Sequence, residues 1–383
     1  MIYTVIEKIK NFLEINKQEM YVMIKELCEI PAPSHCEHKR AEYCKRWLEK
    51  AGAKGVYIDD ALNVIFPLNI ENSSEITAFA AHTDTVFPDT EPMPYFDDGE
   101  KIHSPGVADD TASVVVLLMM AKFFIENNIT PQKGILFVCN SCEEGLGNLK
   151  GTKQLFCDFD NRIKQFISYD SDLDVVNDIC VGSHRYEVEV LTEGGHSYGD
   201  FGKKNAIHIA SEIVDNIYKI NVPKKEGTKT TYNVGIFSGG TSVNTIAQYA
   251  KFLCEYRSDD VECLAYMQKQ FEKIFENANG DGVKIKITNV GERPCADIDI
   301  RKIEELEKTV VPVIERVIDK KVSFKSSSTD CNIPLSKGIP ALCVGVNIHK
   351  GMHTREEWVD KESIVQGLEV AISLGLKLVD VLG

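Results

Sequence analysis

Short, wholly apolar runs that end on a histidine or an acid punctuate this chain, and they restrict it to an open α/β sheet. Ala78-Phe79-Ala80-Ala81 runs into His82-Thr83-Asp84, Gly134-Ile135-Leu136-Phe137-Val138-Cys139-Asn140 into Ser141-Cys142-Glu143-Glu144-Gly145, and Ile167-Ser168-Tyr169 into Asp170. Gly106-Val107-Ala108 delivers Asp109-Asp110 at the head of an apolar helix over 114–124, and Ala341-Leu342-Cys343-Val344-Gly345-Val346 precedes Gly351-Met352-His353-Thr354. Apolar runs this short, without polar alternation, suit strands buried on both faces. Open α/β sheets place their sites outside the carboxyl ends of the strands, so five strand-like segments are expected to present ligand-type residues together.

Those five residues, His82, Asp109, Glu144, Asp170 and His353, read as a site for two metal ions. Imidazole and carboxylate groups suit zinc, and a carboxylate's two oxygens can bridge a pair of ions. Glu143 and Glu144 would repel each other at the mouth of a buried strand unless a cation or a shared proton compensates them. Neighbours in extended chain point in different directions, so one can hold metal while the other faces the substrate. A solvated surface turn is the alternative reading of this pair.

At 383 residues the chain exceeds the ~250 to 300 at which single cores stop growing, so two domains are expected. Strand and helix signals alternate up to about Val181, beginning with a helical N-terminus and hairpin-like strands around Val56 and Val64, and predict a largely parallel sheet with helices on both faces. From Arg185 the texture changes to alternating strands at 186–190, 232–237, 252–256 and 283–287, with helices over 206–220 and 266–275. Two helices on one antiparallel sheet make an α+β unit over 183–291, interrupting an α/β domain of 1–182 and 292–383. A helix over 302–318 and the strand at Leu342 resume the first domain and supply His353.

The formal net charge of -15 argues against nucleic acid or an anionic membrane as partner and is silent about small peptides. Twelve scattered cysteines without paired spacing, in a chain too large to need a disulfide framework, fit reduced thiols in a cytoplasmic enzyme. The first 18 residues mix Glu and Lys through an apolar period, unlike a signal peptide, and the most apolar stretch, 112–121, is shorter than the ~20 residues of a membrane span.

His82-Thr83-Asp84, Gly106-Val107-Ala108-Asp109-Asp110, Glu143-Glu144, Gly194-Gly195-His196-Ser197, Gly239-Gly240-Thr241-Ser242-Val243-Asn244 and Gly351-Met352-His353-Thr354 follow one another in this order. From about residue 20 to the end, the chain resembles the M20 family of metallopeptidases, which are di-zinc exopeptidases and amidohydrolases, and among them the peptidase T-like enzymes. The resemblance implies a zinc-exopeptidase-like catalytic domain with an inserted lid that often dimerises. His82 and Asp170 would hold one ion, Glu144 and His353 the other, and Asp109 would bridge them, with zinc expected and manganese or cobalt as alternatives. Asp84 would orient His82. Many members carry Asp before the Glu pair and Lys after the Asp pair, where this chain has Cys142 and Thr111. Neither position is a required ligand. Cys142 reads as a small core residue or as a spare soft ligand.

A water bridging two zinc ions is acidified towards a pKa of ~7. Glu143 would act as its general base and later as the acid for the leaving amine. His196 would join the metal in holding the oxyanion, acting across the interface of a homodimer formed through the lid; a surface turn histidine is its plainer reading. Asn244 and Arg257 resemble lid residues that hold the substrate's carbonyl and carboxylate, although Arg257 also suits a surface salt bridge. The segment Ser326-Ser327-Ser328-Thr329-Asp330 resembles a loop near the substrate cleft and equally suits a helix N-cap. His35, His38, His103, His184, His208 and His349 receive no role. Asp at position 170 favours substrates with a free amine, hence an aminopeptidase, tripeptidase or dipeptidase. A carboxypeptidase or N-acyl amino acid deacylase is the alternative, and a non-catalytic peptide-binding protein of the same fold is a third.

Overall fold

The apolar runs form the middle of an eight-stranded sheet in a computed structural model that describes residues 2–159 and 161–381. From edge to edge its strands are Tyr57–Ile58, Val64–Leu68, Gly134–Asn140, Ile76–His82, Ile163–Ser168, Ala341–Val344, Val175–Cys180 and Ser323–Ser327. The four central strands, from Gly134–Asn140 to Ala341–Val344, are mutually parallel. Antiparallel pairs flank them on both sides, and the last strand is again parallel to its neighbour. Every residue of Ile76–His82 and of Gly134–Asn140 is buried, because helices cover both faces of a parallel sheet.

The helix Ala112–Glu126 packs on these two strands and is buried around nearly its whole circumference, as its largely apolar sequence requires. Against it lies Lys361–Leu378, where Gly375 allows the close crossing: a Cβ there would sit 2.2 Å from the Met120 side chain. These elements belong to a compact unit made of residues up to Cys180 and from Asp297 onward.

The second unit, Val181–Ala296, is a four-stranded antiparallel sheet ordered Thr230–Gly239, Tyr249–Ser258, Gly182–Thr192 and Val283–Arg293. Burial alternates along Tyr249–Ser258, and its inward side chains meet the helices Ala206–Tyr218 and Val261–Ala278 in a core that includes Val188, Phe252, Tyr256, Met267 and Phe271. Asn205 and Asp260 cap the two helices through their side chains.

Two of the five expected strand ends are built differently. Gly106-Val107-Ala108 is no strand: Gly106 takes a left-handed φ of 73°, and Val107–Thr111 forms a wide turn, with Asp109 and Asp110 outside helical φ/ψ, leading into Ala112–Glu126. A three-residue apolar run has no period that could separate these outcomes. His353 lies beyond Ala341–Val344, in a loop after the two-residue strand His349–Lys350 of a separate small sheet. Among the described residues no helix is long and apolar enough to cross a membrane, and all twelve cysteines are free thiols.

Candidate metal centre

His82 is the last residue of its strand, and Glu143-Glu144 and Asp170 follow the ends of the two strands beside it. This register sets three side-chain sources next to one another. Asp109 enters from the turn at the head of Ala112–Glu126, and His353 from its loop in a left-handed conformation, φ 63°. Two clusters result. Ligand-type atoms of His82, Asp109 and Asp170 lie within 4.8 Å of one another, and so do those of Asp109, Glu144 and His353.

Asp109 is common to both clusters and divides its oxygens between them. Its Oδ1 lies 2.9 Å from His82 Nε2 and its Oδ2 3.0 Å from His353 Nε2. His353 Nε2 is also 3.3 Å from Glu144 Oε1. The His82 ring has its other nitrogen, Nδ1, 3.0 Å from the carbonyl of Asp84, which can only accept, so Nδ1 carries the hydrogen. In a neutral imidazole, Nε2 would then point a lone pair at a carboxylate oxygen, a contact that requires a proton or a cation between them. Glu144 Oε1, buried, has no donor beyond this loose contact with His353. Imidazole and carboxylate donors arranged this way fit a pair of divalent cations.

Electrostatics agree with the geometry. Burial raises the Asp109 carboxyl, but hydrogen bonds and charge from His353 and His82 outweigh it and hold it well below the usual carboxylate range. Burial, then the charge of Asp109, pushes Glu144 up to about 7 and raises Asp170. His353 is raised to about 11 by Asp109 and Glu144. So concentrated an acidic site, with two carboxyls driven toward neutrality, is one that cations would relieve.

Asp84 does more than face His82. Its Oδ1 is 3.4 Å from Nδ1, a looser contact than that of its own carbonyl. Its two oxygens accept from the backbone N–H groups of Glu143 and Glu144, both at 2.9 Å, and from the Ser34 hydroxyl at 2.7 Å. The carboxylate therefore ties the end of one strand to the turn after its neighbour. Glu143, 5% exposed, sits in that turn and in neither ligand cluster.

Two further buried acids hold the remaining pieces, Glu357, which the sequence reading missed, and Asp330 of the Ser326 to Asp330 segment. Glu357 accepts from the backbone N–H groups of Gly106, Ala108 and Asp109 at 2.9, 2.8 and 3.1 Å, fixing the turn that presents Asp109. It lies in the charged run Arg355-Glu356-Glu357, which reads as solvated surface. Asp330 does not cap the helix that follows it; it accepts from Asn140 Nδ2 at 2.6 Å and from the Thr152 hydroxyl. Burial and the neighbouring Glu143 push Asp330 up to about 7.

The other expected residues make the following contacts. Cys142 Sγ points away from both clusters, 3.3 Å from His35 Nδ1 and 3.2 Å from Glu37 Oε1, so it is no spare ligand. In the second unit, His196 and Asn244 are close neighbours: Gly195–His196 pairs with Thr245–Ile246, and the Ser197 N–H donates to the Asn244 carbonyl at 3.0 Å. Arg257 engages Glu255 through two nitrogens, at 2.8 and 3.0 Å, which is the salt bridge allowed for in its sequence. His184 is buried in that unit, with Nδ1 2.7 Å from the Tyr256 hydroxyl.

Comparisons with known proteins fit this architecture. The chain is 26% identical over 386 residues to an uncharacterised Bacillus subtilis protein, YqjE, a match covering 94% of this chain and 98% of that one. The crystal structure of aminopeptidase PepT from Bacillus cereus is similar with a TM-score of 0.70 at 21% identity, covering 94% of this chain and 98% of that one. That of a Staphylococcus aureus tripeptidase gives 0.72 at 20% identity, over 95% and 98%. Both structures share the mixed, largely parallel sheet and its fold. The sequence profile of peptidase family M20/M25/M40 matches residues 78–376, a span that holds every residue of the two ligand clusters, and the chain belongs to that family.

Proposed function

We propose that this chain is a metal-dependent exopeptidase that hydrolyses small peptides with a free amino end, of aminopeptidase, tripeptidase or dipeptidase type. The observation that carries the reading is Asp109, whose two oxygens serve two separate ligand clusters while Glu143 stands beside them outside both. His82, Asp109 and Asp170 would hold one divalent ion and Asp109, Glu144 and His353 the other, zinc by donor type, with manganese or cobalt also suited. Bound there, the ions would supply Lewis acidity, acidifying water and polarising the scissile carbonyl.

The protein's own groups do the rest. Glu143 takes a proton from the attacking water through its carboxylate and returns it to the nitrogen of the leaving amine. Asp84 fixes the backbone of Glu143 and Glu144, so the base cannot drift from the ligands. The buried carboxylates of Asp84 and Asp109, held ionised by their partners, make the surroundings acidic, which favours a cationic substrate amine. His196 donates to the oxyanion from a second copy of the chain, and Asn244 beside it binds the substrate carbonyl. The exposed apolar side chains near this pair, Tyr198 at 90%, Phe201 at 91% and Val243 at 101%, support a homodimer through the inserted lid. Because Arg257 is engaged by Glu255, it would bind a substrate carboxylate only by exchanging partners.

The test is a hydrolysis screen of free, N-acetylated and C-amidated di- and tripeptides with metal-loaded protein. Free tripeptides or dipeptides should be cleaved best, and N-acetylation should lower kcat/KM strongly. Better hydrolysis of N-acetyl amino acids would make the chain a deacylase, and no hydrolysis at all would leave a peptide-binding protein.

A further inference from the structure

Two buried charges beneath the centre take no part in the chemistry above, and both come from the start of the helix His38–Lys50. Glu37, fully buried, precedes that helix. Its Oε1 accepts from the backbone N–H of His35 at 3.1 Å, the backbone N–H of Cys142 at 3.0 Å and the Cys142 thiol at 3.2 Å. Arg40, 1% exposed, reaches the other turns: Nη1 donates to the Thr83 carbonyl at 3.0 Å and the Thr111 hydroxyl at 3.1 Å, while Nε donates to the Ile30 carbonyl at 2.8 Å. Among the described residues of the larger unit, Arg40 is the one buried Lys or Arg.

Stability alone does not account for this pair. Buried ions are poor stabilisers compared with apolar residues of similar size, and Glu37 Oε2 and Arg40 Nη2 are both buried without a hydrogen-bond partner. What distinguishes them is what they touch. Glu37 grips the turn Cys142-Glu143-Glu144. Arg40 grips Thr83, between His82 and Asp84, and Thr111, two residues after Asp109. Cys142 and Thr111 are themselves neutral and touch these charges, the Cys142 thiol 3.2 Å from Glu37 Oε1 and the Thr111 hydroxyl 3.1 Å from Arg40 Nη1. Each ligand-bearing turn thus receives a charge at its neutral side chain from the start of one separate helix.

We propose that Glu37 and Arg40 are positioning residues that supply from a separate segment the acid and the cation absent at 142 and 111, and thereby hold the ligand-bearing turns in register. The inference rests on the hydrolytic reading of the site. Supporting groups of this kind typically change metal affinity or activity by about 10- to 100-fold when removed.

Relocating each charge tests the idea. Glu37→Gln and Arg40→Met should each weaken cobalt binding, measured by competition with a chromophoric chelator, by about tenfold or more and lower kcat more than they raise KM. The doubles Glu37→Gln/Cys142→Asp and Arg40→Met/Thr111→Lys should regain most of that loss. Cys142→Asp alone, which sets two carboxylates together, should weaken binding. If Arg40→Met does not fold, the Glu37 arm decides. Doubles no better than their singles, or a Cys142→Asp single that binds cobalt as well as wild type, would overturn the proposal. Cobalt binding that follows the relocation pattern in a protein that cleaves no peptide would overturn the hydrolytic reading instead.

Discussion

Gly106 offers the most direct test of how the Asp109 turn is held. Its φ of 73° is left-handed, and a Cβ there would lie 2.6 Å from Thr85 Cγ2 and 3.2 Å from Thr85 Cβ. Gly106→Ala therefore meets two separate penalties. The left-handed conformation costs an L-residue about 1–2 kcal/mol, and overpacking a buried site costs about 1–3 kcal/mol, so a loss of about 2–5 kcal/mol is expected. Thr85→Ser removes Cγ2, the atom in the worst clash. In that background Gly106→Ala should cost only the conformational part, about 1–2 kcal/mol. Both tryptophans, Trp47 and Trp358, lie in the larger unit, so urea unfolding followed by their fluorescence reports the unit that contains the turn. A loss below about 0.5 kcal/mol for Gly106→Ala, or no recovery in the Thr85→Ser background, would refute the steric account. The variant should also bind less metal, because the displaced turn carries Asp109.

Further outcomes follow from the same geometry. Glu143→Gln should keep its metal by elemental analysis and lose about 10²- to 10⁴-fold in kcat, whereas Glu144→Gln should also lose metal; full activity in Glu143→Gln would reverse the assignment. Burial holds the His184 imidazole below its ordinary value of 6.5, against the upward pull of Glu292 and Glu272. Below pH 6.5 the unfolded chain thus binds more protons there, so this contribution to the inserted unit is complete above that pH and is lost as the pH falls through it. Thermal denaturation of His184→Gln from pH 5 to pH 8 should show a shallower acid loss than wild type, and identical slopes would refute the assignment. Mixing His196→Ala with Glu143→Ala subunits should regenerate activity, since one site of each mixed dimer keeps both residues; verified heterodimers without activity would return His196 to its own chain.

How far the sequence alone determined this protein depends on the range of the interaction concerned. The buried strands at 76–82 and 134–140 were legible because parallel strands covered on both faces must be apolar throughout, and the alternating strands of the inserted unit because one face of an antiparallel sheet packs on helices. The ligand-type residues stood out because imidazoles and carboxylates that follow wholly apolar runs are costly to bury without a partner. Arg40 left a faint trace: with Cys44 and Leu48 it falls on the buried stripe of its helix, at a spacing of four. Glu357 left none, since nothing local distinguishes a buried acid within a charged run. Only the tertiary structure brought Glu357 to three backbone N–H groups 248 to 251 residues earlier, and set Glu37 under Cys142, 105 residues away. Periodicity records which face of an element avoids water; which distant polar group satisfies which is decided when the chain closes and every buried donor and acceptor must find its partner.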